Sequence, residues 1–250
     1  MGDVRVDYNI HSLESNKMKV VIHQPQYFPY PGFFHKLSMA DLFIIMDNTQ
    51  YDKRFTNRNK IISTSDSIWI TVPINKKQKF SPNREVEINN SIPWKKNHWN
   101  KINHAYKNSK YFNLYEKYLE NIYQREWNHL YELNLETLKK TIEWLGLKIK
   151  IVQESELKIS GNGTEKLVNC CKEVGADTYI SGRGLPGKKY LDESLFEQNS
   201  INLVYQDYTP LPYEQKLSTS FIPNLSIIDM ICNLGPDSFK HITKKHIQIN

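Results

Sequence analysis

The sequence predicts an α/β fold built on a mostly parallel, Rossmann-like sheet with an inserted helical segment. Short continuous apolar runs, VVI at 20–22 and LFIIM at 42–46, suit strands buried on both faces better than the alternation of a half-exposed sheet. Helical patterns separate such runs at both ends of the chain, which is the alternation of a parallel α/β sheet. Each proposed strand also ends in polar residues, as expected where parallel strands deliver groups into a crevice.

In chain order, the run at 20–22 stops on His23 and Gln24 and meets the stiff loop PQYFPYPG. Residues 32–40 can form a short helix before the second strand at 42–46, giving a βαβ unit within about 30 residues. Residues 68–74 read as a third strand, with Pro73 marking an edge or a terminus. From 94 to 145 turn breakers are scarce, and Leu130, Leu133, Leu135, Leu138, Ile142 and Leu145 recur at helical spacing before Gly146, which is placed to cap a helix. Two or three helices are expected there. Their aromatics, among them Trp94, Trp99, Tyr106, Phe112 and Tyr115, are expected to pack the helices together, base stacking being the alternative. The βα pattern then returns as a strand at 148–153, a helix at 164–174, a strand at 177–181, a helix at 193–198, a strand at 201–205 and a last helix at 225–234. The expected organisation is a disordered extension over 1–17 and one α/β domain over 18–250, with the helical insertion at 94–146.

A chain of 250 residues is long enough for a sizeable core. Its apolar runs are too short to cross a bilayer, and its first residues, MGDVRVDYNIHSLESNK, do not read as a signal peptide, so a soluble cytoplasmic protein is expected. Cys170, Cys171 and Cys232 have neither metal-site nor disulfide spacing and suit buried reduced thiols. The net charge of +6 favours an anionic ligand. Positives cluster at Lys53, Arg54, Arg58 and Lys60 and again at Lys76, Lys77 and Lys79, which fits either solvated loops or a phosphate-bearing substrate.

The strand ends name candidate chemistry. Adjacent first and second strands would start His23 and Asp47 about 5 Å apart, near enough for the carboxylate to orient the imidazole as a base. The alternative is that His23 merely pins the proline loop. Gln24, Ser181, Gly182 and Gln206 stand at strand ends, and Arg58 can hold a phosphate in bidentate fashion. The loop GRGLPGKKY at 182–190 is glycine-rich like a phosphate cradle but has no P-loop spacing.

Several blocks resemble the WbqC-like family: HQPQYFPYPGFF at 23–34, DNTQY at 47–51, NRNKI at 57–61, WITVPI at 69–74, YISG at 179–182 with Tyr190-Leu191-Asp192, and LSIID at 225–229 with Asn233 and Gly235. The resemblance runs from 19 to 236, with Tyr30 where that family's loop often has tryptophan. It implies a place in O-antigen or other surface polysaccharide biosynthesis and the transfer of an amino acid, glycine in particular, onto a sugar. The family's recurrent residues correspond to His23, Gln24, Pro25, Tyr27, Pro29, Gly32, Asp47, Gln50, Tyr51, Asn57, Arg58 and Asn59 in the first half of the chain. In the second half they correspond to Ser181, Gly182, Tyr190, Tyr213, Gln215, Ser226 and Asp229. The stretch Gly32-x-x-His35-Lys36-Leu37 is also similar, at the level of fold, to the opening of HIGH-motif nucleotidyl-transferring and adenylate-forming enzymes, though with a single histidine.

The expected function is an acyl- or aminoacyl-transferase acting on a nucleotide-linked amino sugar. His23 would take the amine proton, oriented by Asp47, while Arg58, Lys60 and Lys188 hold phosphates. Gln24, Tyr27, Gln50, Tyr51, Asn57, Asn59, Ser181, Gly182, Tyr190, Gln206 and Tyr213 complete the expected substrate-binding set. The donor would be an acyl carrier or an aminoacyl-tRNA, and no metal site is expected. Two alternatives stand: a nucleotidyltransferase or adenylate-forming ligase using ATP with Mg²⁺ and Asp47 as a metal ligand, or a non-catalytic binding protein in glycan assembly.

Overall fold

The computed structural model describes residues 17–64, 66–75, 78, 80–182 and 191–244. The expected extension at 1–17 lies outside these residues except for exposed Lys17, and Lys76, Lys77, Lys79, Lys188 and Tyr190 lie outside them altogether.

Five parallel strands form the main sheet: β1 (Lys19–His23), β2 (Leu42–Ile45), β5 (Lys150–Gln153), β6 (Thr178–Ser181) and β7 (Asn202–Tyr205). Their spatial order is β5-β2-β1-β6-β7. Counted along the chain, this is the doubly wound order 3-2-1-4-5, whose direction reverses between β1 and β6. The fold is α/β and Rossmann-like, as the continuous apolar runs predict.

Both faces of the sheet are covered, which is why those runs do not alternate. On one face Val21, Phe43, Ile45 and Ile180 join a core with Phe33, Phe34 and Leu37 of α1 (Pro31–Ser38) and with the inserted segment. On the other, Val20, Ile22, Leu42, Ile44 and Tyr179 pack with Val168, Cys170 and Cys171 of α5 (Gly163–Glu173) and Phe196 of α6 (Glu193–Gln198). The three cysteines are free and buried, and burial pushes the Cys170 and Cys171 thiols up to about 12.

The insertion is larger than its helical part. It begins with an antiparallel hairpin, β3 (Arg58–Ile62) against β4 (Ser67–Thr71), which stands apart from the main sheet. Residues 68–74 are therefore not a third strand of the parallel sheet, and the end of the expected basic loop, residues 58–60, is strand. The reason is alternation: Asn59, Ile61 and Ile70 turn inward, while Arg58, Lys60 and Trp69 share the outer side. Three helices follow, α2 (Trp94–Tyr106), α3 (Phe112–Gln124) and α4 (Leu130–Trp144). Their aromatics interlock, with Trp99 stacked on Phe112 and Trp144 edge-on to Tyr115 and Tyr118. Gly146, at φ +63°, takes the left-handed turn that ends α4. The chain closes with α7 (Ile227–Leu234) and α8 (Ser238–Thr243), α8 lying against α1.

The loop between β1 and α1 carries a constraint that no apolar pattern reveals. Phe28 has φ +41°, a left-handed backbone rare for a bulky residue. Its carbonyl is held at 2.6 Å by Asn59 Nδ2 and at 3.0 Å by Ser226 Oγ. Removing one donor should leave this buried carbonyl under-satisfied. Asn59→Ala is expected to cost about 1–3 kcal/mol. Combined with Ser226→Ala, it should give a loss different from the sum of the two single changes, because both donors meet one oxygen. Denaturant unfolding of the two single variants and the double variant tests this; additive or negligible losses would show that the loop holds itself.

Candidate functional site

β1 and β6 share only two paired positions, Lys19 with Thr178 and Val20 with Tyr179, whereas β1 stays paired with β2 as far as His23 with Ile45. Beyond Val20 the two strands part, and a cavity of about 760 Å³ opens there. Ile22 and His23 come to it from β1, Tyr179 and Ser181 from β6, Phe33 and Lys36 from α1, and Gly163, Thr164 and Lys166 from the start of α5. The loop after β2 closes it with Asn48, Thr49, Gln50, Asp52 and Arg54. This is the topological switch point, where open α/β sheets hold ligands.

Of the residues singled out in the sequence, His23, Gln24, Gln50, Ser181, Gly182 and Gln206 line this cavity. His23 Nδ1 donates to its neighbour's carbonyl, Gln24 O, at 2.9 Å, which leaves Nε2 as the acceptor nitrogen. Burial first, and then the Lys36 charge, push the imidazole down to about 3, so it is neutral at pH 7.

Asp47 does not orient it. The Asp47 carboxylate is buried and accepts from Ser155 N at 2.9 Å and Ser155 Oγ at 2.5 Å, tying the end of β2 to the turn after β5. Adjacent strands brought the two backbones together, but Ser155 is the partner the side chain reaches. The carboxylate whose charge acts on His23 is Asp52. With both Asp47 oxygens engaged, Asp47 is not placed to hold a metal, and no cluster of metal-ligating residues occurs among the described residues.

Other candidates are architectural. Tyr27 is fully buried, its hydroxyl hydrogen-bonded with Tyr123 at 2.5 Å and His98 at 3.1 Å. Asn57 donates to Val72 O, and Asn59 holds Phe28. Tyr51 is buried, with a hydroxyl that has no hydrogen-bond partner among the described residues. Tyr213 donates to Asp229 Oδ2 at 2.7 Å and Gln215 donates to the same oxygen at 2.8 Å, while burial raises the Asp229 carboxyl to about 6. Arg58 and Lys60 lie over the Trp69 ring on the outer side of the hairpin, away from the cavity lining. Of that basic cluster only Arg54 lines the cavity, and it pairs with Asp52.

Sequence reasoning missed Lys36. It is only 6% exposed, lines the cavity, and makes no hydrogen bond or ion pair among the described residues; its ammonium has only the Phe33 ring, 5.9 Å away. Burial pushes it down to about 8. Lys166, the cavity's other deep lysine, is by contrast paired with buried Glu154, which also accepts from Thr49. A signal for Lys36 existed, since in PGFFHKLS both neighbouring turns of α1 are apolar and the helix is buried nearly all round.

Fold and cavity together define a doubly wound α/β protein with a cavity at its switch point. The chain belongs to the WbqC-like protein family, whose model matches residues 24–241. It is 31% identical over 222 residues to "Uncharacterized protein Rv1507c" of Mycobacterium tuberculosis (strain ATCC 25618 / H37Rv), a match covering 88% of this chain and 95% of that relative. No solved structure matches the chain. Among the described residues no helix is long and apolar enough to cross a membrane.

Lys36 sets a stability prediction. Its folded value of about 8 lies below its ordinary value of 10.5, so between these limits the unfolded chain binds more protons and stability rises with pH. Lys36→Met removes the buried charge and is expected to stabilise the protein at pH 7 by about 2–4 kcal/mol, an advantage that shrinks toward pH 10. Chemical denaturation across this pH range checks it; a variant less stable at pH 7 would show that the ammonium is well accommodated.

Proposed function

We propose that the chain is an acyl- or aminoacyl-transferase acting on a nucleotide-linked amino sugar in surface polysaccharide assembly. The observation that carries this reading is the neutral His23 imidazole, its acceptor nitrogen uncommitted among the described residues, in a switch-point cavity large enough for a nucleotide sugar. Among the described residues the lining carries Lys36, Arg54 and Lys166 against Asp52, which suits an anionic substrate. Gln26 Oε1 at the same cavity is buried with no partner among the described residues and can accept from a sugar hydroxyl or amine. The polysaccharide context follows the family resemblance.

In the reaction, the neutral amine nitrogen attacks the acyl carbonyl of the donor. A C–N bond forms, the bond from the carbonyl carbon to the carrier's sulfur or oxygen breaks, and the carrier leaves with the electron pair. The amine proton passes to His23 Nε2 and from there to the leaving group. Gln24 O, not Asp47, fixes the imidazole's tautomer. In the empty cavity His23 is a weak base. A substrate anion beside Lys36 offsets the second-largest cause of its lowered value and so raises its basicity in the complex.

Two measurements test the reading. A nucleoside-diphosphate amino sugar at about 100 times its Kd should raise stability by about 2.7 kcal/mol. Stabilisation by ATP with Mg²⁺ alone would favour the nucleotidyl-transferring or adenylate-forming alternative instead. With a substrate in hand, His23→Asn should retain binding and lose turnover by ~10²–10⁴. Because free His23 is already deprotonated at neutral pH, it should add no inflection of its own to wild-type kcat/KM between about pH 5 and about pH 7, where only the substrate amine titrates, and kcat/KM should decline above about 8 as Lys36 loses its proton. A His23→Asn enzyme with wild-type turnover would remove His23 from the mechanism.

A further inference from the structure

Among the described residues, the cations around the cavity have partners, with one exception. Arg54 is held by Asp52, Lys166 by Glu154, and Arg58 and Lys60 lie on Trp69. Lys36 is buried to the same degree as core residues and faces the cavity without a counter-charge among the described residues. An ammonium in that position is costly unless an anion completes it.

A second feature of the same lining points the same way. Helix α5 begins at the cavity with Asn162 in the cap position, yet the Asn162 side chain accepts no hydrogen bond from the first turn. Gly163, the first helical residue, also lines the cavity, and a Cβ built on it would meet nothing within 4 Å. Among the described residues Gly163 thus presents its backbone to the cavity, with the positive end of an 11-residue helix behind it. α1 and α5 cover opposite faces of the sheet, so Lys36 and the start of α5 approach the gap between β1 and β6 from its two sides.

We propose that Lys36 and the Gly163 end of α5 form a phosphate subsite that takes the diphosphate of a nucleotide-linked ligand. This deepens the transferase reading and rests on it only for the sugar that the diphosphate carries. The subsite lies inside the cleft, not on the basic hairpin that the sequence suggests. Asp52 is the one carboxylate in the cavity lining among the described residues, and its ion pair with Arg54 keeps it from opposing the anion with its full charge.

The test uses inorganic pyrophosphate as the probe and isothermal titration calorimetry on the full chain. Lys36→Met should weaken pyrophosphate binding about tenfold or more, the scale of a lost charge-assisted hydrogen bond. Asn162→Asp should weaken it too, since a carboxylate at the cap position occupies the helix start and repels phosphate while favouring the helix itself. That second variant keeps the test independent of any folding defect. Wild-type affinity in both variants, or a loss caused by Arg58→Ala instead, overturns the proposal. Loss of pyrophosphate binding in both variants without turnover of any nucleotide amino sugar keeps the subsite and removes the transferase reading. Turnover with unchanged pyrophosphate binding does the reverse.

Discussion

The parting of β1 from β6 is the constraint on which the site depends. Parallel neighbours hold together by slanted hydrogen bonds along their length, and these two strands give theirs up after Val20 and Tyr179. The loss is tolerable because the chain reverses its winding there. The helices after β1 and β5 cover opposite faces of the sheet, and neither lies across the gap. The ladders on either side of the gap continue past it: Gln206 N donates to Ser181 O between β7 and β6, and Met46 N donates to His23 O between β2 and β1. The cavity thus follows from the topology, and side chains from four strand ends and two helices need only reach into it.

The proline loop converts that opening into a rigid wall. Pro25, Pro29 and Pro31 limit its backbone freedom before folding, and Phe28 takes the one strained conformation the path requires. Asn59 from the hairpin and Ser226 from the cap of α7 meet on the Phe28 carbonyl, so elements nearly 200 residues apart in the chain fix one peptide (|i−j| of 31 and 198). Gly32 is required by crowding: a Cβ there would lie 2.4 Å from the Tyr30 ring. Of the family-like residues, Asn59 and Ser226 hold this loop, Asn57 bonds Val72 and Asp229 accepts from Tyr213 and Gln215, and none of the four lines the cavity.

What the sequence made legible was whatever repeats. VVI and LFIIM show the buried strands because burial on both faces leaves an unbroken apolar run, and Gly146 marks the end of α4 because its turn needs a positive φ. The cavity edge was legible for the same reason, since strand ends are where polar residues interrupt the runs. Three things were not. The strand RNKII hides its alternation because Asn59 is the inward residue, a polar group buried to hold a backbone carbonyl. The side-chain partner of Asp47 depends on where the turn at Ser155 arrives, about a hundred residues later (|i−j| 108), and sheet spacing says nothing of that. Lys36 looks like the exposed residue of a short helix, because lysine is almost never buried without a partner.

That last exception bears on function more directly than any motif. A protein keeps a buried, unpaired ammonium at a cost to its own stability, and the cost is recovered only when a ligand supplies the opposite charge. Burial holds His23 neutral first and the Lys36 ammonium adds its repulsion, so the two groups are coupled: an anion that pairs with Lys36 removes the second of these causes. Under the proposed reaction, part of the weakness of the imidazole in the empty cavity is then a consequence of the binding site and not an objection to the chemistry. On that reading some base strength arrives together with the substrate whose amine needs it, while the part set by burial remains.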